Sequence, residues 1–150
     1  MKFEYEKVLI CVVGQEMVNS EKAGVMFTVN PVNKNKNEII IEGSFGLGES
    51  VVSGQVNLDN YILDKNKLKI ISKSINEKRI AIIRDCNGKN KTIKLDNKKA
   101  NSECLTEKEV IELGKLGIAI EKHYKKPQDI EWAIAGQKIY ILQSRAITTL

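Results

Sequence analysis

Ile130-Glu131-Trp132-Ala133-Ile134, then Ala135-Gly136-Gln137, then Ile139-Tyr140-Ile141-Leu142-Gln143-Ser144-Arg145 read as two β-strands joined by a tight loop. Ile130, Trp132 and Ile134 alternate with Glu131 and Ala133; Ile139, Ile141, Gln143 and Arg145 alternate with Tyr140, Leu142 and Ser144. Both faces are mostly apolar, so the pair is expected inside the fold. Glu131, Gln143 and Arg145 are the exceptions. Burying a polar group without a partner costs several kcal/mol, so these three need one another or a ligand.

Register decides whether they meet. A three-residue loop, Ala135 to Gln137, pairs Ile134 with Lys138 and Glu131 with Ile141, which leaves Gln143 diagonal to Glu131 on one face. A two-residue loop would set Glu131 opposite Leu142 and send Gln143 to the other face, because a one-residue slip inverts the pattern. In the first register a carboxylate, an amide oxygen and a guanidinium converge. Carboxylate and carbonyl oxygens suit magnesium, which takes phosphate as a further ligand. The Arg145 guanidinium would then neutralise charge on a transferring phosphate. The same residues also permit a Glu131–Arg145 ion pair with Gln143 satisfying a backbone group, and such structural pairs are commoner than active sites.

Working back along the chain, Thr106-Glu107-Lys108-Glu109 is a capping box, with Leu105 and Val110 placed as a hydrophobic staple. Val110, Leu113, Gly117, Ile120 and Tyr124 follow at helical spacing, and Pro127 stops the helix. Gly114 and Gly117 cost helix propensity, which points to close packing against a sheet. His123 is expected near the helix C-terminus, where it favours the dipole. Earlier strand-like runs are Val8 to Val13, Ala23 to Val29, Glu38 to Ile41, Tyr61 to Leu63, Leu68 to Ser72, Arg79 to Arg84 and Thr92 to Leu95. Turn residues separate them. The expected fold is α+β, an antiparallel sheet with one long packed helix. Gly43 and Gly54 are expected at turns that need positive φ. The glycine-rich run makes neither a complete dinucleotide fingerprint nor a GxxxxGK[ST] loop. Gly46 and Gly48 receive no role from spacing, and Glu49 is a candidate neighbour of the metal.

The net charge of +5 over 150 residues invites a polyanion. The lysines gather with asparagines, as in Asn33-Lys34-Asn35-Lys36-Asn37, a pattern of solvated loops without the aromatic interleaving of a nucleic-acid surface. No apolar run approaches the roughly 20 residues that cross a bilayer, and the first residues lack a secretory core. A cytoplasmic protein with neither membrane nor nucleic-acid partner is expected. Cys11, Cys86 and Cys104 show no metal or disulfide spacing and are expected to be reduced thiols.

Pro127-Gln128-Asp129-Ile130-Glu131-Trp132-Ala133 followed by Ile141-Leu142-Gln143-Ser144-Arg145 resembles the end of the nucleotide-binding domain of phosphoenolpyruvate synthases. Pyruvate phosphate dikinases and rifampin phosphotransferases share the pattern. The resemblance implies that Glu131 and Gln143 hold Mg2+ and that Arg145 contacts ATP phosphates. Gln15-Glu16-Met17-Val18 with Ala23-Gly24-Val25-Met26-Phe27-Thr28 is similar to the hinge strand on which ATP-grasp enzymes lay adenine. Backbone near Glu16 and Val18 would read the base edge, with Met17 or a neighbour packing beside it. Ser44 to Gly54 and Asn57-Leu58-Asp59 resemble the stretch between hinge and helix, so the similarity runs from about Val12 to Arg145.

The resemblance implies a partial ATP-grasp domain over residues 1–150, its C-terminal subdomain, using ATP and Mg2+. In the intact family ATP phosphorylates a histidine on another domain, and the phosphoryl group passes to pyruvate to give phosphoenolpyruvate. The N-terminal ATP-grasp half, the phosphohistidine domain and the pyruvate-binding domain have no counterpart here and are the implied partners. The isolated chain, whether excised domain, gene fragment or separate subunit, is expected to complete no turnover. Pyruvate and an antibiotic remain open as acceptors, and a non-catalytic interaction module remains an alternative. His123 is not the phosphocarrier, whose glycine- and threonine-rich motif is absent. Trp132 is expected in the core rather than stacked on adenine.

Overall fold

In a computed structural model, residues 11–52, 54 and 56–148 are described. In chain order the elements are β1 (Lys22–Phe27), β2 (Glu38–Phe45), α1 (Glu49–Val52), β3 (Asp59–Asp64), β4 (Lys69–Ser74), β5 (Ile80–Arg84), β6 (Asn90–Lys94), α2 (Asn97–Ala100), α3 (Glu107–Tyr124), β7 (Gln128–Ala135) and β8 (Lys138–Ala146). Six strands form one sheet in the order β4-β3-β2-β1-β7-β8, with every pairing antiparallel, and β5 and β6 make a separate hairpin. The chain is therefore a mixed α/β structure with one long helix.

Each strand-like run from Ala23 onward becomes a strand. The run Val8 to Val13 does not hold as a strand throughout. Residues 11–13 have no regular structure, with Val12 and Val13 84% and 81% exposed, and Val8 to Ile10 lie outside the described residues. The short helices α1 and α2 carry no long periodicity that would announce them. The first is a single turn, and the second rests on the Asp96 cap, whose side chain accepts from Lys99 N at 2.8 Å.

The capping box sets where α3 begins. Thr106 N donates to Glu109 Oε2 (2.7 Å), and Glu109 N donates to Thr106 Oγ1 (3.3 Å). Leu105 and Val110 are both buried beside it. The helix ends on Lys125 in the left-handed conformation, just ahead of Pro127. Its buried face stops sooner than the periodicity suggests: Tyr124 is 55% exposed. Val110 and Leu113 pack with Met26, Ile41, Tyr61, Leu63 and Ile130 on one face of the sheet.

Gly114 and Gly117 bring helix and sheet together. A Cβ on Gly114 would stand 2.2 Å from Leu63 Cδ2, and one on Gly117 3.0 Å from Met26 Sδ. Gly114→Ala gains about 1 kcal/mol of helix propensity. It also overpacks a fully buried contact, at a cost of about 1–3 kcal/mol. A net loss of up to about 2 kcal/mol is expected, read as a lower urea midpoint with unchanged slope.

Gly43 corrects an expectation. It lies inside β2 without positive φ, and its role is space: a Cβ there would meet the Trp132 indole at 2.8 Å. A Cβ on Gly24, one strand over, would meet Glu42 O at 1.9 Å and Trp132 Cζ2 at 2.5 Å. The two glycines thus open a slot that leaves Trp132 fully buried, in the core as the sequence suggests. Gly54 does adopt positive φ, 66°.

One polar knot lies within the core. Asp59 and Lys78 are both 0% exposed and form an ion pair of 2.5 Å. Asp59 also accepts from Asn76 N (3.0 Å) and Cys104 N (2.7 Å), while Lys78 donates to Asn76 O (2.7 Å). These bonds fasten the start of β3 to the segments that precede β5 and α3. Burial pushes the Cys104 thiol up to about 12, in keeping with an inert reduced cysteine; Cys11 and Cys86 are exposed.

Candidate functional site

The β7–β8 hairpin is built differently from the loop count. Gly136 and Gln137 have φ of 54° and 65°, the paired positive values of a two-residue type I′ turn. Ala135 therefore pairs with Lys138, and Ile134 with Ile139, not with Lys138 as a three-residue loop requires. Continued unbroken, this register would separate Glu131 from Gln143. It is broken instead: Trp132 faces Ile141 and Glu131 faces Gln143, so Leu142 is an extra residue, a β-bulge. Glu131 and Gln143 therefore lie side by side on one face by another route, and Arg145 is opposite Asp129 in the next row.

The bulge also resolves a conflict in the alternating pattern. Before it, Ile139 and Ile141 share the helix-covered face with Ile134 and Trp132. After it, Gln143 and Arg145 lie with Glu131 and Asp129 on the opposite face. Val25 of β1 pairs with Glu131, and Phe27 with Asp129. Three successive rows cross this open face. They are Ala23–Ala133, then Val25–Glu131–Gln143, then Phe27–Asp129–Arg145. The β8 strand is an edge of the sheet, so the hairpin is only partly interior.

A cleft of about 390 Å³ opens over this face. Gln15, Glu16, Met17 and Val18 line it, together with Gly48, Glu49, Asn90, Glu131 and Leu142. Residues 15–18 form no strand; they pass beside β8, where Gln15 Nε2 donates to Leu142 O (3.4 Å), and lead to Glu21, whose N donates to Ile134 O (2.8 Å). The hinge segment and Glu131 thus share one cleft. Gln143 and Arg145 do not line it but continue from Glu131 across the open face, with Arg145 exposed. Among the described residues no ion pair joins Glu131 to Arg145, whose partner across the strands is Asp129.

Asp129 has no place in the sequence-based site, although its i−2 spacing from Glu131 puts it on the same face. Its Oδ1 is buried without a hydrogen bond. Burial raises its carboxyl above the ordinary 3.8, against the opposing pull of Arg145. A carboxyl raised on folding favours the fold below its unfolded value and loses that contribution as pH rises through the raised one. Asp129→Asn, which cannot ionise, is expected to flatten the fall in Tm as pH rises above about 4, measured by thermal melts across pH.

Asp129 and Glu131 carboxylates with the Gln143 amide make a hard-oxygen donor set that fits magnesium, and the orphaned Oδ1 has acceptor capacity to spare. Among the described residues no three His, Cys, Asp or Glu side chains form a metal-binding group, so a metal here would draw on Gln143 and on phosphate oxygens. Asn90 is a second residue outside the sequence-based site. It reaches the cleft from β6, where its Nδ2 donates to Glu49 Oε2 (2.5 Å), and no local motif signals that docking.

The family described as "Pyruvate phosphate dikinase, AMP/ATP-binding domain" matches residues 1–150. The chain is 47% identical over 148 residues to a protein of Methanocaldococcus jannaschii named probable phosphoenolpyruvate synthase, covering 99% of this chain and 12% of that protein. It is 52% identical to one of the same name from Archaeoglobus fulgidus (99% and 19% covered). It is 40% identical to a rifampicin phosphotransferase of Bacillus cereus (99% and 17% covered). The chain thus spans less than a quarter of the length of each.

Proposed function

Because the chain belongs to the pyruvate phosphate dikinase AMP/ATP-binding domain family, we propose that it forms the ATP- and magnesium-binding part of a phosphoenolpyruvate synthase-like phosphotransferase. The sheet and α3 would be the C-terminal subdomain of an ATP-grasp fold, with residues 1–150 a partial domain of that kind. One observation carries the reading. The hinge segment and Glu131 line one cleft, and Gln143, Asp129 and Arg145 extend from Glu131 on the same open face.

In this reading adenine lies against Gln15 to Val18, where backbone groups are free of strand pairing. Glu131, Gln143 and Asp129 would hold magnesium, which would screen the phosphate charge. Arg145, an always-cationic fork at the exposed end, would take the outermost phosphate oxygens and stabilise charge as the phosphoryl group leaves. Catalysis of this kind rests on positioning and electrostatics. The acceptor histidine and the pyruvate site would lie in the parts of the longer relatives that this chain does not match. A cytoplasmic setting belongs to the same proposal. Among the described residues no helix is long and apolar enough to cross a membrane.

Titration of the chain with Mg-ATP, followed by amide chemical shifts, tests the proposal. Shifts gathered at Gln15 to Val18 and Glu131 to Arg145 are expected; no binding at millimolar nucleotide would overturn it. The 40% identity to a rifampicin phosphotransferase supports a second reading, the same ATP chemistry with an antibiotic acceptor. Assaying the full-length protein with pyruvate and with rifampicin decides between them.

A further inference from the structure

We propose that the β5–β6 hairpin and α2 form a docking site for an acidic segment of polypeptide, one apolar side chain of which seats in the hollow they enclose with Phe45. The net charge of +5 is not spread over the chain. Residues 79–99 hold seven lysines and arginines against two aspartates, a net of +5 equal to that of all 150 residues, so the remainder is balanced. All seven cations are exposed. Among the described residues only Arg79 of the seven has an ion-pair partner, Glu77. Both aspartates are turned to backbone: Asp85 accepts from Asn87 N (2.9 Å) and Lys89 N (2.8 Å), and Asp96 from Lys99 N (2.8 Å). The excess positive charge thus has no answering carboxylate among the described residues.

A merely solvated charged face needs no apolar floor, and this one has a floor. Ala81 pairs with Ile93 and Ile83 with Lys91, so these four share one face of the hairpin. Ile83, Ile93 and Leu95, all half-buried, line a hollow of about 340 Å³ together with buried Phe45, and Arg84 and Lys99 stand at it. The nucleotide cleft is reached from the hairpin's other face, by Asn90, so the two sites adjoin without coinciding. Lys99 Nζ lies 3.9 Å from the centre of the Phe45 ring, an attraction that holds the ammonium beside the hollow. An incoming carboxylate would pair with it and with Arg84, whose planar fork suits carboxylates. The same geometry favours a peptide over a nucleic acid. Single strands are held by bases stacked on open rings, and here the ring is already covered by Lys99.

Fluorescence-anisotropy titrations of the chain test this, using labelled Asp-Asp-Leu-Asp-Asp and Asp-Asp-Ala-Asp-Asp peptides and, as competitor, a random-sequence DNA duplex. The leucine peptide is expected to bind about tenfold more tightly than the alanine one, because it buries more apolar surface, and to weaken as salt rises. Lys91→Gln with Lys99→Gln is expected to weaken its binding about tenfold. Lys122→Gln with Lys125→Gln removes the same charge at the far end of α3 and should change it less than about twofold. Equal losses from the two double variants would overturn the proposal, because the chain would then be answering to net charge alone. So would equal affinities for the two peptides, or no binding at millimolar peptide. A duplex that displaces the leucine peptide and binds more tightly would overturn it in favour of a nucleic-acid surface.

Discussion

Lys78→Met is expected to destabilise the chain by about 3–5 kcal/mol, the cost of leaving one member of a buried ion pair without its partner. Methionine nearly preserves the volume, so the loss would not be a cavity effect. Asp59 would stay fully buried, keeping its bonds from Asn76 N and Cys104 N but losing the paired charge that offsets its own. Those backbone bonds are what make the site unforgiving. Through Asp59 the carboxylate joins β3 to the two segments leading into β5 and α3, so an unbalanced charge there strains three elements together. Thermal melting should show a Tm lower by on the order of 10 °C. A double replacement, Lys78→Met with Asp59→Leu, should regain part of the loss, because two apolar groups carry no unpaired charge. A Lys78→Met variant that melts with the wild type would show that the pair contributes no net stability.

The second large effect concerns binding rather than stability. Glu131→Gln is expected to weaken Mg-ATP binding by on the order of tenfold or more, equivalent to about 1.4 kcal/mol or more. The shape of the side chain is kept and only its charge is lost. Glu131 has no side-chain hydrogen bond or ion pair to a described residue, so Tm should barely move. The magnesium dependence is the decisive readout: the deficit should vanish when ATP is titrated in the presence of a chelator. Affinity unchanged with magnesium would instead favour an interaction module that keeps these residues only as structure.

The helix and hairpin are legible in the sequence because their signals are local. Thr106 to Glu109 carry a complete cap within four residues, and Ile130, Trp132 and Ile134 declare a buried face by simple alternation. The register of β8 is not legible in the same way, since two one-residue departures add: the shorter turn moves the partner of Glu131 from Ile141 to Leu142, and the bulge at Leu142 moves it on to Gln143, a shift of two that restores the face. A hint is present, because strict alternation places Ile139 and Ile141 on one face with Gln143 and Arg145, and a buried face does not tolerate that mixture. Asp129 is within reach by its spacing. Asn90 is not, since its place in the cleft depends on how a hairpin some forty residues beyond Glu49 docks, which no neighbouring residue encodes. Gly43 misleads for a related reason: the space it leaves belongs to Trp132, far along the chain.

The extra residue at Leu142 gives one hairpin two separate gears. The tip, from Ala135–Lys138 to Trp132–Ile141, takes its phase from the turn; the base, from Glu131–Gln143 to Gln128–Ala146, runs in another phase. A turn at Gly136 and Gln137 lengthened by looped-out residues that keep the Ala135–Lys138 pair leaves the polar rows below in place. That exposed corner is therefore the place to graft a spectroscopic label or an epitope while leaving the cleft's floor untouched.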